Sequence, residues 1–294
     1  MRFSYAESLT DPSYYVPLAQ AAEAAGFDSM VIPDSICYPE VSDSTYPYTP
    51  DGSREFLEDK PFIDPFILIT ALGAVTTTLR FPTFVVKLPI RHPVLVAKQV
   101  ASVATMTNNR LWFGVGTSPW PEDYDVTDVA WAGRGRRMDE MLDIIKGLLT
   151  GEFFEYHGKV FDLQSVKMTP APTKPVPILL GGHGEVALKR AARIGDGWMH
   201  GGGGPEGDLP TLLARIHALR EEYGRADQPF EVHAISLDAY TVDGVQQLEE
   251  QGVTDAIVGF RWPYVVGPDT EPLQAKLDAI KRYGDDVIGP SKRR

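Results

Sequence analysis

The chain has a single cysteine, Cys37, which leaves it without an internal disulfide framework or a thiolate metal cage and suits a reducing compartment. Nowhere do apolar residues run long enough to span a bilayer, and the opening residues MRFSYAESLTDP lack the charged leader and apolar core of a secretory signal. A cytoplasmic protein with no membrane partner is expected. Basic charge is scarce: 28 Lys and Arg against 40 Asp and Glu leave a net charge of −12, and the one basic cluster of note is the Lys292-Arg293-Arg294 tail. Neutralising phosphates needs clustered Lys and Arg, so no nucleic-acid partner is expected. The six histidines are scattered without ligand spacing, and no HExxH or HxH pattern occurs, so no metal site is expected. The nucleophile elbow of a serine hydrolase is missing too.

What the chain does have is apolar content, 43% over 294 residues, arranged in alternating short runs and helical patterns. Strands are expected at Arg2–Ala6, Ser29–Pro33, Phe81–Val86, Leu111–Val115, Val176–Leu180, Gly197–Met199, Glu231–Leu237 and Ala256–Phe260. Helical patterns follow them at Tyr14–Ala25, Pro65–Val75, Pro93–Met106, Arg136–Leu149, Glu185–Ile194, Leu209–Tyr223, Val245–Glu250 and Leu273–Tyr283. Such pairs in one α/β domain spanning residues 1–294 fit a (β/α)8 TIM barrel, whose usual length is about 250 residues plus insertions. A doubly wound open sheet is the alternative.

Two connections are too long for ordinary turns and read as insertion loops after strands 2 and 4. Ser35–Phe62 carries Tyr38, Tyr46, Tyr48 and several prolines, too aromatic for a floppy linker, and reads as a lid over the barrel mouth. Gly151–Lys174 reads as a small β-hairpin followed by an extended proline segment.

Barrel active sites sit at the C-terminal ends of the strands, which singles out the polar residues there. Glu7 follows the first strand, Asp34 and Ser35 the second, Lys87 and Arg91 the third, Thr117 and Ser118 the fourth, His183 the fifth, His200 the sixth and Arg261 the eighth. Gly114-Val115-Gly116-Thr117-Ser118-Pro119-Trp120 combines glycines, which let backbone approach a ligand, with hydroxyls that can hydrogen-bond it. Gly181-Gly182-His183-Gly184 joins a strand to a helix start, where backbone N–H groups and the helix dipole suit a phosphate. Glycines that merely close tight turns are the lesser alternative for both segments, and Glu185 would favour the bare dipole without a phosphate. Glu7 and Asp34 are the two carboxylates placed for glycosidase chemistry. Tyr38, Trp120 and Trp262 are aromatics suited to stack on a sugar or a flat ring.

Taken together, Leu88–Trp120, Arg134–Leu163 and Pro175–Trp198 resemble the bacterial-luciferase-like oxidoreductases, most closely the branch that uses the deazaflavin coenzyme F420. The resemblance implies a (β/α)8 barrel that binds an isoalloxazine-type ring against a bulged third strand with a non-proline cis peptide. Here the bulge is expected near Thr83-Phe84, with Val85 and Val86 behind the ring. Thr117 and Ser118 match the family's cofactor contacts after the fourth strand, and Gly181, Gly182, His183 and Gly184 match its phosphate loop. In the family's sugar-phosphate dehydrogenases an acid–base pair stands where this chain has Ser35 and Pro119, so that substrate is not carried over. The reading is hydride transfer between F420 and a small organic substrate, with Asp34 orienting the ring or protonating substrate. Tyr38, Lys87, Trp120, Arg261 and Trp262 are expected around the substrate. Arg134, Arg136 and Arg137 would favour the anionic tail of F420. An FMN-dependent monooxygenase, a barrel glycosidase and a non-catalytic flavin-binding barrel are the alternatives. A homodimer packed through helices of the second and third units is implied by the resemblance alone.

Overall fold

The computed structural model describes residues 1–7, 9–46, 49, 51–202, 208–260 and 265–293. Its strands run in chain order as β1 (Arg2–Ala6), β2 (Ser29–Val31), β3 (Phe81–Pro82), β4 (Val86–Lys87), β5 (Leu111–Gly116), β6 (Phe154–His157), β7 (Asp162–Val166), β8 (Ile178–Gly181), β9 (Gly197–His200), β10 (Glu231–Ile235) and β11 (Asp255–Val258). All except β6 and β7 join one parallel sheet in the order β2-β1-β11-β10-β9-β8-β5-β3, with β4 also pairing β5. Parallel bridges from Ser29 to Arg80 and from Ile32 to Thr83 bring β2 back to β3 and close the ring. The fold is therefore the expected (β/α)8 barrel, with β3 and β4 sharing the third position, and the open sheet is ruled out. The antiparallel β6–β7 hairpin occupies the Gly151–Lys174 connection, as the sequence suggested.

Helices α1 (Tyr15–Ala24), α2 (Pro65–Val75), α3 (Pro93–Met106), α4 (Pro121–Asp125), α5 (Arg134–Leu149), α6 (Glu185–Ile194), α7 (Leu209–Glu222), α8 (Val242–Glu250), α9 (Leu273–Tyr283) and α10 (Gly289–Arg293) complete the chain. Local chemistry explains their starts. The Asp64 carboxylate accepts the Phe66 and Ile67 N–H groups at 2.9 and 3.2 Å, and Pro65 takes the first position of α2, where no N–H is needed. Asp208 and Pro210 start α7 in the same way. The short α4 was not expected; it begins at Pro121, five residues beyond Gly116 at the end of the fourth barrel strand.

Apolar side chains divide into two layers. Between strands and helices lies the main core, which includes Phe81, Val86, Phe113 and Val115. Inside the barrel a smaller cluster of Val31, Leu179, Met199 and Ile257 is joined by Phe84, Val85 and Trp112. The expected continuous strand Phe81–Val86 is interrupted. Pro82 pairs with Trp112 but Val86 pairs with Val115, so three residues on one strand stand opposite two on the other, which is a bulge. The non-proline cis peptide lies between Phe84 and Val85, one residue beyond the expected position. Phe84 and Val85 consequently both face the barrel interior, whereas Val86 packs outward and cannot back a ligand. Gly114 makes room for the bulge: a Cβ there would lie 1.8 Å from the Thr83 carbonyl oxygen.

At the N-terminal end of the barrel the first residues of three strands meet. Arg2 lies 2.5 Å from Asp255 and 3.0 Å from Glu231, and His233 lies 2.8 Å from Glu231 and 3.4 Å from Asp255.

Candidate active site

A cavity of about 780 Å³ opens at the C-terminal ends of the strands, within the range of roughly 300–1,000 Å³ usual for small-molecule sites. Its two ends differ in chemistry. One end is built by the segments after β8 and before α5. Gly184 caps α6 and Gly133, at φ 80°, caps α5, both without a capping side chain. Two helix N-termini therefore present their positive ends to the same cavity. Arg134, stacked 3.5 Å from the centre of the Trp131 ring, and Arg190, held by Asp139 at 2.7 Å, line the same region. Gly182 has φ 118°, and a Cβ there would come within 2.9 Å of the Ala187 Cβ, so this position requires glycine. A Cβ at Gly184 would meet nothing, which leaves open space beside the helix start. Glu185 does not neutralise the dipole through the cavity: its carboxylate is turned to Arg215 at 2.6 Å and Lys189 at 3.2 Å, which hold it down at about 2.

The middle of the cavity is walled by Phe84, Val85 and Met199. Glycines at 116 and 181 seat the Val85 side chain, since a Cβ on either would approach its methyl groups to 2.9 or 3.0 Å. Asp34 sits beside this wall with its side chain almost sealed from solvent. It accepts the Lys87 N–H at 2.8 Å and pairs with Arg91 at 2.9 Å. Burial pushes the Asp34 carboxyl up, against the opposing pull of Arg91 and the Lys87 N–H. Both its oxygens are committed, so Asp34 ties β2 to the chain leaving β4. Lys87 Nζ in turn pairs with Asp123 at 2.7 Å, and Asp123 also accepts the Ser118 hydroxyl.

The other end is aromatic. Tyr46, Phe56, Leu57 and Phe62 of the first insertion face Trp120 across it, so the insertion covers the mouth as a lid. It is latched to the α4 segment: the Ser42 and Ser44 hydroxyls donate to Glu122, the latter at 2.9 Å, and the Trp120 indole N–H donates to the Thr45 carbonyl at 3.2 Å.

Of the residues singled out in the sequence, Asp34, Phe84, Lys87, Thr117, Ser118, Trp120, Gly181, Gly182 and Gly184 all line this cavity. Four do not. Thr83 is buried and donates its hydroxyl to the Gly114 carbonyl at 2.6 Å. Val86 faces the helices. His183 turns aside, its ring stacked on His200 at 4.6 Å and its Nε2 accepting the Gly201 N–H; burial and then His200 hold it down at about 4, so it is neutral near pH 7. Tyr38 lines a smaller neighbouring pocket of about 120 Å³ with Cys37 and Lys60. Arg261 and Trp262 lie outside the described residues. Glu7 is held by Lys276 at 3.2 Å and by the Tyr5 hydroxyl at 3.1 Å, away from the cavity, so the Glu7–Asp34 pair of a glycosidase is not assembled. Arg137 is drawn to the Pro89 carbonyl and Arg136 is exposed, leaving Arg134 alone of the three at the cavity. Among the described residues, Glu231, His233 and Asp255 are the one group of potential metal ligands brought together, and the Arg2 guanidinium supplies the cation there. Sequence reasoning missed Arg190, Trp131 and Met199; Arg190 falls on the helix that follows the glycine turn, a position that spacing alone could have flagged.

This barrel, with a bulged third strand and a glycine-walled cavity at its mouth, is that of a luciferase-like oxidoreductase. The chain belongs to the luciferase-like monooxygenase family, whose model matches residues 3–283. The uncharacterized protein Rv0940c of Mycobacterium tuberculosis is 62% identical over 288 residues, which cover 98% of this chain and 99% of that one. The F420-dependent glucose-6-phosphate dehydrogenase of Nakamurella multipartita is 31% identical over 239 residues, 76% of this chain and 63% of that one. In fold, the coenzyme F420-dependent tetrahydromethanopterin reductase of Methanopyrus kandleri matches with a TM-score of 0.72 at 17% identity, over 98% of this chain and 99% of that one.

Proposed function

We propose that the protein is an oxidoreductase that transfers a hydride between coenzyme F420 and a small organic substrate. The observation that carries this reading is the arrangement of one cavity: a flat wall of Phe84 and Val85, with two uncapped helix starts and two arginines at one end. That donor set fits a planar ring with an anionic arm. Gly182, Gly184 and the α6 start would take the phosphate, Phe84 and Val85 would back the ring, and Arg134 and Arg190 would face its charged extension. When bound, the deazaflavin supplies two-electron hydride chemistry. The protein's part is to bind and orient, with Asp34 fixing the wall beside the ring and the Tyr46–Phe62 lid excluding water. The named activities of the Nakamurella and Methanopyrus relatives support the choice of F420.

A second reading, an FMN-dependent monooxygenase, draws support from the family's own description. Absorbance titration with each cofactor separates the two: binding of F420 without FMN is expected, FMN alone would establish the second reading, and binding of neither would reject both along with a flavin-storing barrel. We propose further that the protein is a homodimer through α2 and α3, which expose Ile67, Leu95 and Met106 at 68, 66 and 70%. Sedimentation should give a dimer that Leu95→Glu converts to monomer; a monomeric parent protein would reject this interface.

A further inference from the structure

The bulge brings Lys87 to the cavity, and its neighbours fix it there. Its backbone N–H donates to Asp34, and its Nζ pairs with Asp123 at 2.7 Å. Asp123 accepts the Ser118 hydroxyl, whose oxygen accepts the Trp120 N–H at 3.1 Å. The ammonium lies 4.5 Å from the Trp120 ring centre, on a side chain only 9% exposed. An ammonium has three N–H donors. The ion pair and the ring face can take two at most, and no described residue accepts a well-formed hydrogen bond from Nζ. A buried donor beside the Phe84 and Val85 wall is therefore left for a ligand, and such a donor is costly to leave without an acceptor. Arg54, buried 4.7 Å from the same ring and 4.0 Å from Glu122, adds a second positive charge on this side, and neither of its Nη atoms is hydrogen-bonded among the described residues. Asp34 differs: both its oxygens are tied up by the Lys87 N–H and Arg91.

We infer that the substrate is a carbonyl compound and that Lys87 is the catalytic residue that holds its oxygen and protonates it. This rests on the proposed function, which supplies the hydride. The carbonyl carbon gains that hydride with its electron pair, the π pair moves to the oxygen, and Lys87 Nζ gives the oxygen a proton. An alcohol and a neutral amine result. The amine is reprotonated from water, and the hydride donor is left oxidised by two electrons. The probe is 2-acetylnaphthalene, isotope-labelled in its carbonyl, with 2-ethylnaphthalene as the counterpart that lacks the oxygen. In infrared difference spectra the C=O stretch of the bound ketone should fall below its value in hexane, with or without F420. Lys87→Met would strand Asp123, so it is combined with Asp123→Asn, and Asp123→Asn alone is the control. The double variant should return the stretch to its hexane value and weaken the ketone at least about tenfold in equilibrium dialysis, as for one hydrogen bond to a charged group. It should bind 2-ethylnaphthalene and F420 within about twofold of the parent protein, and Asp123→Asn alone should keep the shift. An unshifted stretch in the parent protein overturns the inference without any variant, as does a ketone that does not bind. A shift that survives in the folded double variant overturns it too, and so does a loss of F420 affinity in place of ketone affinity, which would assign Lys87 to the cofactor. If F420 does not bind but the Lys87-dependent shift holds, the cofactor reading fails and the carbonyl seat stands. If F420 binds and the shift is absent, the seat fails alone.

Discussion

The two ends of the barrel both bury polar groups, yet they use them in opposite ways. At the N-terminal end, Arg2, Glu231, His233 and Asp255 close on one another at 2.5 to 3.4 Å. At the C-terminal end, the α5 and α6 starts carry no capping side chain and open onto empty volume. A cluster whose charges pair with one another contributes to holding the fold, while backbone donors that face a cavity can meet a ligand. The difference teaches that a His, Glu and Asp within ligand distance are not by themselves a site.

The largest effect should come from breaking the closed end. Asp255→Ala leaves Arg2 and His233 without their buried carboxylate and should cost about 3–5 kcal/mol, read by urea unfolding, while F420 affinity of the folded fraction stays unchanged. A loss of cofactor affinity there would erase the distinction between the ends. Gly182→Val acts at the open end, with the opposite profile. Strain at its positive φ should cost about 1–2 kcal/mol, whereas cofactor binding should weaken at least about tenfold, equivalent to about 1.4 kcal/mol; undiminished affinity would remove the phosphate-loop assignment.

Acid should find the closed end first. Burial alone would raise the Asp255 and Glu231 carboxyls, but His233 and Arg2 hold both below their usual range. Their folded-state pKa values being depressed, they stabilise fully above the unfolded values of about 4, and that contribution is lost as pH falls through the folded ones. Denaturation midpoints measured downward from pH 6 should drop below about pH 4, and less so in Asp255→Asn. The smallest effect belongs to the lid: Glu122→Gln weakens its bonds to Ser42 and Ser44, and should cost about 1 kcal/mol, seen as faster amide exchange at Ser44 rather than as global unfolding.

Much of this was legible because the periodicity of apolar residues is set by the same burial that builds the barrel. Strands buried on both sides, such as Leu111–Gly116, announce themselves as apolar runs, and glycine turns mark where they reach the mouth. Asp34, Thr117 and Gly182 could be placed because each follows such a run. The lid could not. Its aromatics are visible, but the sequence points to Tyr38 where Tyr46 and Phe56 do the lining, because the segment is held by contacts distant in sequence, those of Ser42, Ser44 and Thr45 with Glu122 and Trp120. Thr83 and Val86 were misplaced for a different reason: an alternating pattern cannot reveal an extra residue inside a strand.

That extra residue has an arithmetical consequence. Along a strand, odd and even positions point to opposite sides, and the three-against-two pairing between Pro82 and Val86 exchanges the two sets halfway. Lys87 reaches the cavity, and Val86 the helices, only because the count before them has been shifted by one. Without the bulge, a regular strand of the same length would turn Lys87 into the oily layer beneath the helices; deleting a single residue from Thr83–Val85 would instead restore an unbroken alternation with Val86 and Lys87 still on their present sides, so that only the inward pair of Phe84 and Val85 is lost.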